Sequence, residues 1–263
     1  MACRRLLLVL LLLVPAPVAA QTVRFLDQCA ASSTEDLVVL MNHTLTVGVA
    51  WTEAEDTGAD NNISAFQATS TCGLDASDTS DRLAYTMTPT TPSSADYDVG
   101  FSLPAVITGQ TDLDPVVAFV RWQDTSNWYA CLLTAETTPR WVLLKRLSGT
   151  TTVLDSGNSA ATTNSSWQCL IAGDTLKVLV DSAEEGCAVD SSITDTGAGA
   201  VGFGNYWPSS AGGDDLADAN TSWKIDNIAF TDQTGQGLDD NCGVAAGGGI
   251  PKTTNLLLKG VGE

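Results

Sequence analysis

Residues 116–147, VVAFVRWQDTSNWYACLLTAETTPRWVLLKRL, constrain this chain more than any other stretch. In an extended chain Val116, Ala118, Val120 and Trp122 fall on one side, and Val117, Phe119 and Arg121 on the other. The polar run QDTSN interrupts before Trp128 and Tyr129 restart the apolar pattern, and AETTP interrupts again before RWVLLKRL. A period of two with short polar breaks predicts three antiparallel strands joined by local turns, not a helix. On this alternation Trp122 shares the side of Val116 and Val120 and belongs to the core. Trp128, beside a turn, is expected at the surface.

The same grammar runs along the chain. Strand-like segments fall at 22–26, 37–41, 47–51, 63–69, 83–87 and 97–103 before the meander, and at 151–154, 167–171, 175–180, 200–206 and 222–230 after it. Residues 53–62 are acidic and small and read as an exposed loop, as does the Gly, Asp and Ser-rich stretch 73–80. About a dozen strands with no helical pattern predict an all-β fold, two packed antiparallel sheets in one domain over residues 21–232. Residues 233–263 are glycine-rich and read as a tail outside the sandwich. Its run Leu256-Leu257-Leu258 is either a loose end or a strand offered to a second chain.

The first twenty residues stand apart from this fold. Arg4 and Arg5 precede the apolar run LLLVLLLLV, and Val18-Ala19-Ala20 supplies small residues before Gln21, the pattern of a secretory signal peptide. Pro15 and Pro17 break the run well short of the ~20 residues a spanning helix needs. An extracellular location and no membrane insertion follow as expectations. Of the seven cysteines, Cys3 leaves with the leader, and Cys29, Cys72, Cys131, Cys169, Cys187 and Cys242 remain. An even number in an exported chain, with no close Cys-x-x-Cys pair, favours disulfides over a zinc site. Cys131 and Cys169 sit in apolar strand patterns where they can face each other, and Cys29 and Cys242 flank the domain and can tie its ends; the full pairing stays open.

Twelve Lys and Arg against thirty-one Asp and Glu give a formal net charge of −19. Such a surface repels phosphate backbones and anionic membranes, so nucleic acid is excluded as a partner. The acidic loops Thr111-Asp112-Leu113-Asp114 and Gly212-Gly213-Asp214-Asp215 cluster the hard oxygen ligands that calcium takes, although a solvated acidic loop has the same sequence. Sequons for N-linked glycan occur at Asn42, Asn62, Asn164 and Asn220.

Signatures of catalysis are sparse. Glu53 and Glu55 share a face if extended, but they enter a polar loop lacking the apolar surroundings that raise the pKa of a catalytic acid. The single histidine, His43, leaves little from which to build a triad or a His-rich metal site. Gly197-x-Gly199-x-x-Gly202 matches a dinucleotide-binding pattern, but a polar stretch precedes it and no helix follows. Aromatic residues are more suggestive, because sugars stack on exposed rings while polar groups take the hydroxyls. Trp128, Tyr129, Tyr206 and Trp207 are the candidates for glycan contact. Arg121 and Lys145 either line the same face or pair with carboxylates.

Taken in order, VVAFVRWQDTSNWYACLL, WVLLKRLSGTTTVLDSG, the Trp167 strand, the turn Ala172-Gly173-Asp174, TLKVLVDS, GAVGFG and WKIDNIAF resemble laminin G-like domains of the concanavalin A-like lectin and glucanase superfamily. The likeness extends over about residues 25–230, and Leu40, His43 and Trp51 are similar to the opening of bacterial and phage-associated members. It implies a jelly-roll sandwich whose concave sheet or loop rim binds glycans, often with a structural calcium ion. Asp226 and either Asp112 or Asp114 are the ligands it implies here. The Glu-x-Asp-x-x-Glu string of family 16 glycoside hydrolases is missing. The expected function is therefore a non-catalytic carbohydrate-binding module. An assembly subunit that self-associates through its C-terminal tail is the alternative, with a glycan hydrolase or lyase behind it.

Overall fold

In the computed structural model the alternating segments become strands, apart from 37–41 and 47–51, which lie outside the described residues. The structure describes residues 22–27, 35–36, 52–56, 62–66, 71–75, 82–86, 95–108, 115–135, 137–193, 200–206, 221–232 and 242, with side chains in 95–106, 115–135 and 137–193 and at 223, 225, 226, 228, 229, 231 and 242. In chain order the strands are β1 (Thr22–Asp27), β2 (Glu35–Asp36), β3 (Thr52–Asp56), β4 (Asn62–Phe66), β5 (Thr71–Asp75), β6 (Arg82–Thr86), β7 (Tyr97–Thr108) and β8 (Val116–Asp124). They continue as β9 (Asn127–Leu133), β10 (Arg140–Leu147), β11 (Thr150–Asn158), β12 (Ser166–Ala172), β13 (Thr175–Val180), β14 (Ala183–Val189), β15 (Ala200–Tyr206) and β16 (Thr221–Asp232).

These strands form two antiparallel sheets. The larger is ordered β14-β13-β12-β7-β16-β5-β4-β2, with β1 alongside β16; the smaller is ordered β11-β10-β9-β8-β15-β6-β3. The meander β8-β9-β10 is the centre of the smaller sheet, and its hairpins close locally. At the β8–β9 turn the Asp124 carboxylate accepts from the Ser126 amide at 2.7 Å, an Asx turn that substitutes for backbone pairing. Ser148 and Gly149 both take positive φ, 51° and 80°, as a two-residue β10–β11 hairpin requires.

Inward residues of both sheets make one core. Val116, Ala118, Val120, Tyr129, Cys131, Leu133, Trp141 and Leu143 of the smaller sheet meet Val99, Phe101, Trp167, Cys169, Ile171, Leu176 and Val178 of the larger. Each large apolar side chain so buried contributes roughly 1.5–3 kcal/mol. The Cys131–Cys169 disulfide crosses this core from β9 to β12, as the two apolar contexts allow. Cys242 bonds Cys187 on β14, which corrects the expectation that Cys242 would close on Cys29. Two residues near the chain's ends need not be neighbours, because pairing follows the sheet order. Cys29 lies outside the described residues, and Cys72 lies within β5.

The outward face of the meander is also apolar and buried: Val117, Phe119, Trp122, Trp128, Ala130, Leu132, Val142 and Leu144 form a second cluster. Trp122 reaches it because Arg121 adopts a left-handed φ of 50°. The pairing of β8 shifts register between Val120 and Asp124, so this bulge turns Trp122 from the Val116 side to the Phe119 side. Trp128 is fully buried, not at the surface. Its ring lies parallel to that of Trp122 with centroids 6.1 Å apart, and Phe119 meets it edge-on.

Three further expectations change. Within the expected loop 73–80, residues 73–75 belong to strand β5, and within 53–62, residues 53–56 belong to β3 and Asn62 opens β4; the rest of both stretches lies outside the described residues. Strand β14, AEEGCAV, was hidden by its charge; it is the edge of its sheet, where charged residues discourage pairing with other chains. The leader lies outside the described residues, as does the tail apart from Cys242. Among the described residues no helix is long and apolar enough to cross a membrane.

Candidate functional site

One end of the sandwich gathers polar side chains that sequence spacing keeps far apart. Lys145 near the end of β10, Tyr129 near the start of β9 and residues 190–193 after β14 converge there. The Lys145 ammonium donates to Asp190 Oδ2 at 2.5 Å and to Ser192 Oγ at 3.0 Å. The Tyr129 hydroxyl donates to Asp190 Oδ1 at 2.6 Å, and the Ser192 amide donates to the same oxygen at 2.9 Å. Tyr129 is itself positioned by the Ile193 amide, which donates to its hydroxyl at 3.1 Å. Local sequence explains the shape of this corner. Asp190-Ser191-Ser192 is a short polar turn in which an Asp side chain binds the backbone two residues on.

Behind this array lies Arg121, whose main-chain amide donates to the Tyr97 hydroxyl at 2.5 Å. Its guanidinium donates to the Ile193 carbonyl at 3.3 Å and to the Gly173 carbonyl. Gly173 is held from the other side by Asp96, whose carboxylate accepts from its amide at 2.8 Å. The bulge at Arg121 thus ties the β12–β13 turn to the segment that carries Asp190 and Ser192. With only 3% of its surface exposed, Arg121 directs its guanidinium to these two carbonyls. It supports the corner from behind, and its partners are main-chain carbonyls instead of the carboxylates that the sequence offered as one of its two roles.

The electrostatics of the array are set by its hydrogen bonds. Burial works to raise the Asp190 pKa, but bonds from Lys145, Tyr129 and Ser192 outweigh it and hold the carboxyl well below the usual range. Burial, reinforced by the adjoining Asp190 carboxylate, pushes the Tyr129 hydroxyl well above its ordinary value. At neutral pH the corner therefore presents an ionised Asp190 carboxylate and a neutral Tyr129 phenol, with the Lys145 Nζ bonded to the carboxylate. The Lys145 and Asp190 side chains are 16% and 14% exposed, and Ser192 is exposed. Ammonium, carboxylate and serine hydroxyl so reach the solvent boundary, while Tyr129 is buried behind them.

The aromatic candidates do not form one surface. Trp128 and Tyr129 are successive strand residues and so point to opposite sheet faces; the first joins the outward cluster and the second the core. In the backbone register Ala200 lies opposite Trp122 and Asn205 opposite Val116. Tyr206 therefore ends β15 at the far end of β8 from Arg121, roughly 20 Å away at ~3.3 Å per residue. Trp207 lies outside the described residues. Glu53 and Glu55 belong to β3, where the pairing shifts so that they face successive residues of β6, Tyr85 and Ala84. Sequence reasoning did not find Asp190 and Ser192, since DSS after a charged edge strand is indistinguishable from any polar loop.

Of the metal candidates, Asp226 alone falls among the described residues. Asp226 sits within β16 opposite Ser102, whose hydroxyl donates to its carbonyl at 3.0 Å. Asp112 and Asp114 lie outside the described residues. Among those described, no group of three or more His, Cys, Asp or Glu side chains is arranged to hold a metal ion.

No protein-family model matches the chain, and no curated protein matches it in sequence. Solved structures match at low identity. The carbohydrate-binding module CBM66 from Bacillus subtilis is 15% identical, with 69% of this chain and 91% of that one covered and a TM-score of 0.41. An endo-1,3-β-glucanase from Streptomyces sioyaensis is 12% identical, covering 82% and 98%, with a TM-score of 0.48. The exoplasmic/lumenal domain of VIP36, in a form bound to Ca2+ and Man3GlcNAc, is 10% identical, covering 69% and 82%, with a TM-score of 0.44. These are likenesses to lectin and glucanase-type β-sandwiches and extend to fold alone.

Proposed function

We propose that this chain is a secreted, laminin G-like β-sandwich that binds carbohydrate and performs no reaction on it. The observation that carries the reading is the Lys145–Asp190–Ser192 array at one end of the sheets. A sugar offers adjacent hydroxyls, each both donor and acceptor. A carboxylate and an ammonium held side by side satisfy such a pair at once through charge-assisted bonds, and Tyr129 and Arg121 fix the geometry before the ligand arrives.

Supporting the non-catalytic reading, Asp190 is held ionised and so lacks the proton that a glycosidic general acid must deliver. The acidic balance of the chain turns away polyanions and leaves neutral glycans as the natural ligand class. The calcium ion that the resemblance implies takes Asp226 and either Asp112 or Asp114 in this reading, and chelation tests it. A glycan array probed with the mature chain tests the whole. Saturable binding to a related group of neutral oligosaccharides, without turnover of the bound glycan, is the expected result; a blank array across diverse neutral and acidic glycans, or release of cleaved product, overturns it.

A further inference from the structure

Of the four sequons, Asn164-Ser165-Ser166 is the one whose surroundings are fully described, and they set it apart. Asn164 lies at the tip of the β11–β12 connection, where Thr162, Thr163 and Asn164 are all exposed. Its φ is 73°, a left-handed conformation that asparagine tolerates better than most residues. Its amide donates to the Leu103 carbonyl at 2.7 Å, which pins the backbone and leaves the turn's apex pointing away from the sheet.

The third position of the sequon behaves differently. Ser166 is 8% exposed and Ser165 2% exposed. The Ser166 amide donates to Asp181 Oδ1 at 2.9 Å, its hydroxyl lies 3.4 Å from the same oxygen, and its carbonyl accepts from the Asp181 amide at 2.9 Å. Asp181 also accepts from the Ser165 hydroxyl at 3.1 Å. Asp181 directly follows β13, so these bonds form only once β12 has paired with β13. Three residues on, Cys169 is committed to Cys131.

We propose that Asn164 is an acceptor for an N-linked oligosaccharide, and that transfer takes place before β12 joins its sheet. The sequon is defined by a hydroxyl at its third position, so a transferase must reach Ser166 as well as Asn164. In the folded protein Asn164 is exposed, but Ser166 is buried and its main chain is held against Asp181. Once attached, a bulky hydrophilic chain at the exposed apex disturbs no packing. It also stands clear of the Lys145–Asp190 corner, because Asn164 precedes the start of β12 and Gly173 follows its end, ~20 Å away at ~3.3 Å per residue. The modification thus leaves the polar corner free, and it does not depend on the function proposed above.

The test is translation with eukaryotic microsomes of residues 21–263 behind a leader of established efficiency, followed by endoglycosidase treatment and peptide mapping of protease-protected chains. Modification at Asn164 is expected, and Asn164→Gly, which keeps the left-handed turn, removes it at that site, as does Ser166→Ala. A second arm offers purified transferase and lipid-linked oligosaccharide to the folded, disulfide-intact protein and to the reduced, unfolded chain. At least a tenfold faster modification of the unfolded chain at Asn164 is expected. An unmodified Asn164 in translocated chains overturns the site, and equal rates on folded and unfolded protein overturn the order of events.

Discussion

A methyl group added at Gly186 should unseat one tryptophan. Gly186 lies on β14 and Gly157 on β11, the edge strands of the two sheets, and the Trp141 indole fills the seam between them. A Cβ at Gly186 would stand 2.4 Å from both Cη2 and Cζ3 of that ring, and one at Gly157 would stand 2.7 Å from Cζ2. Carbon atoms in contact prefer about 3.5–4.0 Å, so the ring must shift by about 1 Å or more. The ring is 5% exposed, and its Nε1–H donates to the Asn158 carbonyl at 3.1 Å, so it has nowhere to go without breaking packing or that bond. Glycine at 186 is not needed for a left-handed backbone, and alanine in a strand would otherwise gain about 0.5–1 kcal/mol. Overpacking costs about 1–3 kcal/mol, which leaves Gly186→Ala destabilised by about 1–2 kcal/mol. For a chain of this length that is a Tm lowered by about 2–8 °C. Urea denaturation followed by tryptophan fluorescence measures it. In a Trp141→Leu background the smaller side chain makes room, and the same Gly186→Ala change should cost nothing or stabilise; the difference between backgrounds is the coupling. A Gly186→Ala protein as stable as the wild type, or an equal loss in both backgrounds, would refute the seam packing.

Stability should depend on pH at both extremes. Asp190 binds its proton more weakly folded than unfolded, so its contribution is complete above the ordinary carboxylate range and is lost as pH falls below about 4 towards the depressed value. Tyr129 is shifted the other way, and its contribution is present below about pH 10 and is lost as pH rises beyond it. Asp190→Asn should flatten the acid limb of a pH series of denaturation midpoints and cost about 1–3 kcal/mol at pH 7, since Lys145 and Tyr129 lose a charged acceptor; an unchanged acid limb would contradict this. Replacing Cys131 and Cys169 together by alanine should cost about 3–4 kcal/mol by the loop-entropy relation for a separation of 38 residues, read from the same denaturation curves. A loss under 1 kcal/mol would show that the bridge constrains little.

What could be read from the chain follows from the range of each interaction. The meander was legible because its turns are local and its strands are apolar on both faces, and 175–180 and 200–206 stand where alternation put them. Trp122 is buried as expected but on the other face, because a left-handed Arg121 leaves no mark in one-letter code yet reverses the facing of the next residue; Trp128 was misplaced because its place beside a turn does not show that the meander's outward face is itself apolar and buried. Strand β14 was missed because edge strands carry charge. The polar corner was the least legible feature, since Tyr129 and Asp190 are 61 residues apart. Lys145 was noticed as a basic residue in an acidic chain, but its partner was fixed by sheet order and not by spacing.

If the Lys145–Asp190–Ser192 corner holds a sugar, as proposed, then changes to its side chains must weaken binding. Titration calorimetry with an oligosaccharide selected on the array should give at least a tenfold weaker Kd for Lys145→Met and for Ser192→Ala, with denaturation midpoints showing that each variant is folded. A tenfold loss corresponds to about 1.4 kcal/mol, within reach of one charge-assisted bond. Affinities equal to the wild type in both folded variants would place the ligand elsewhere on the sandwich and rule out this corner as its site.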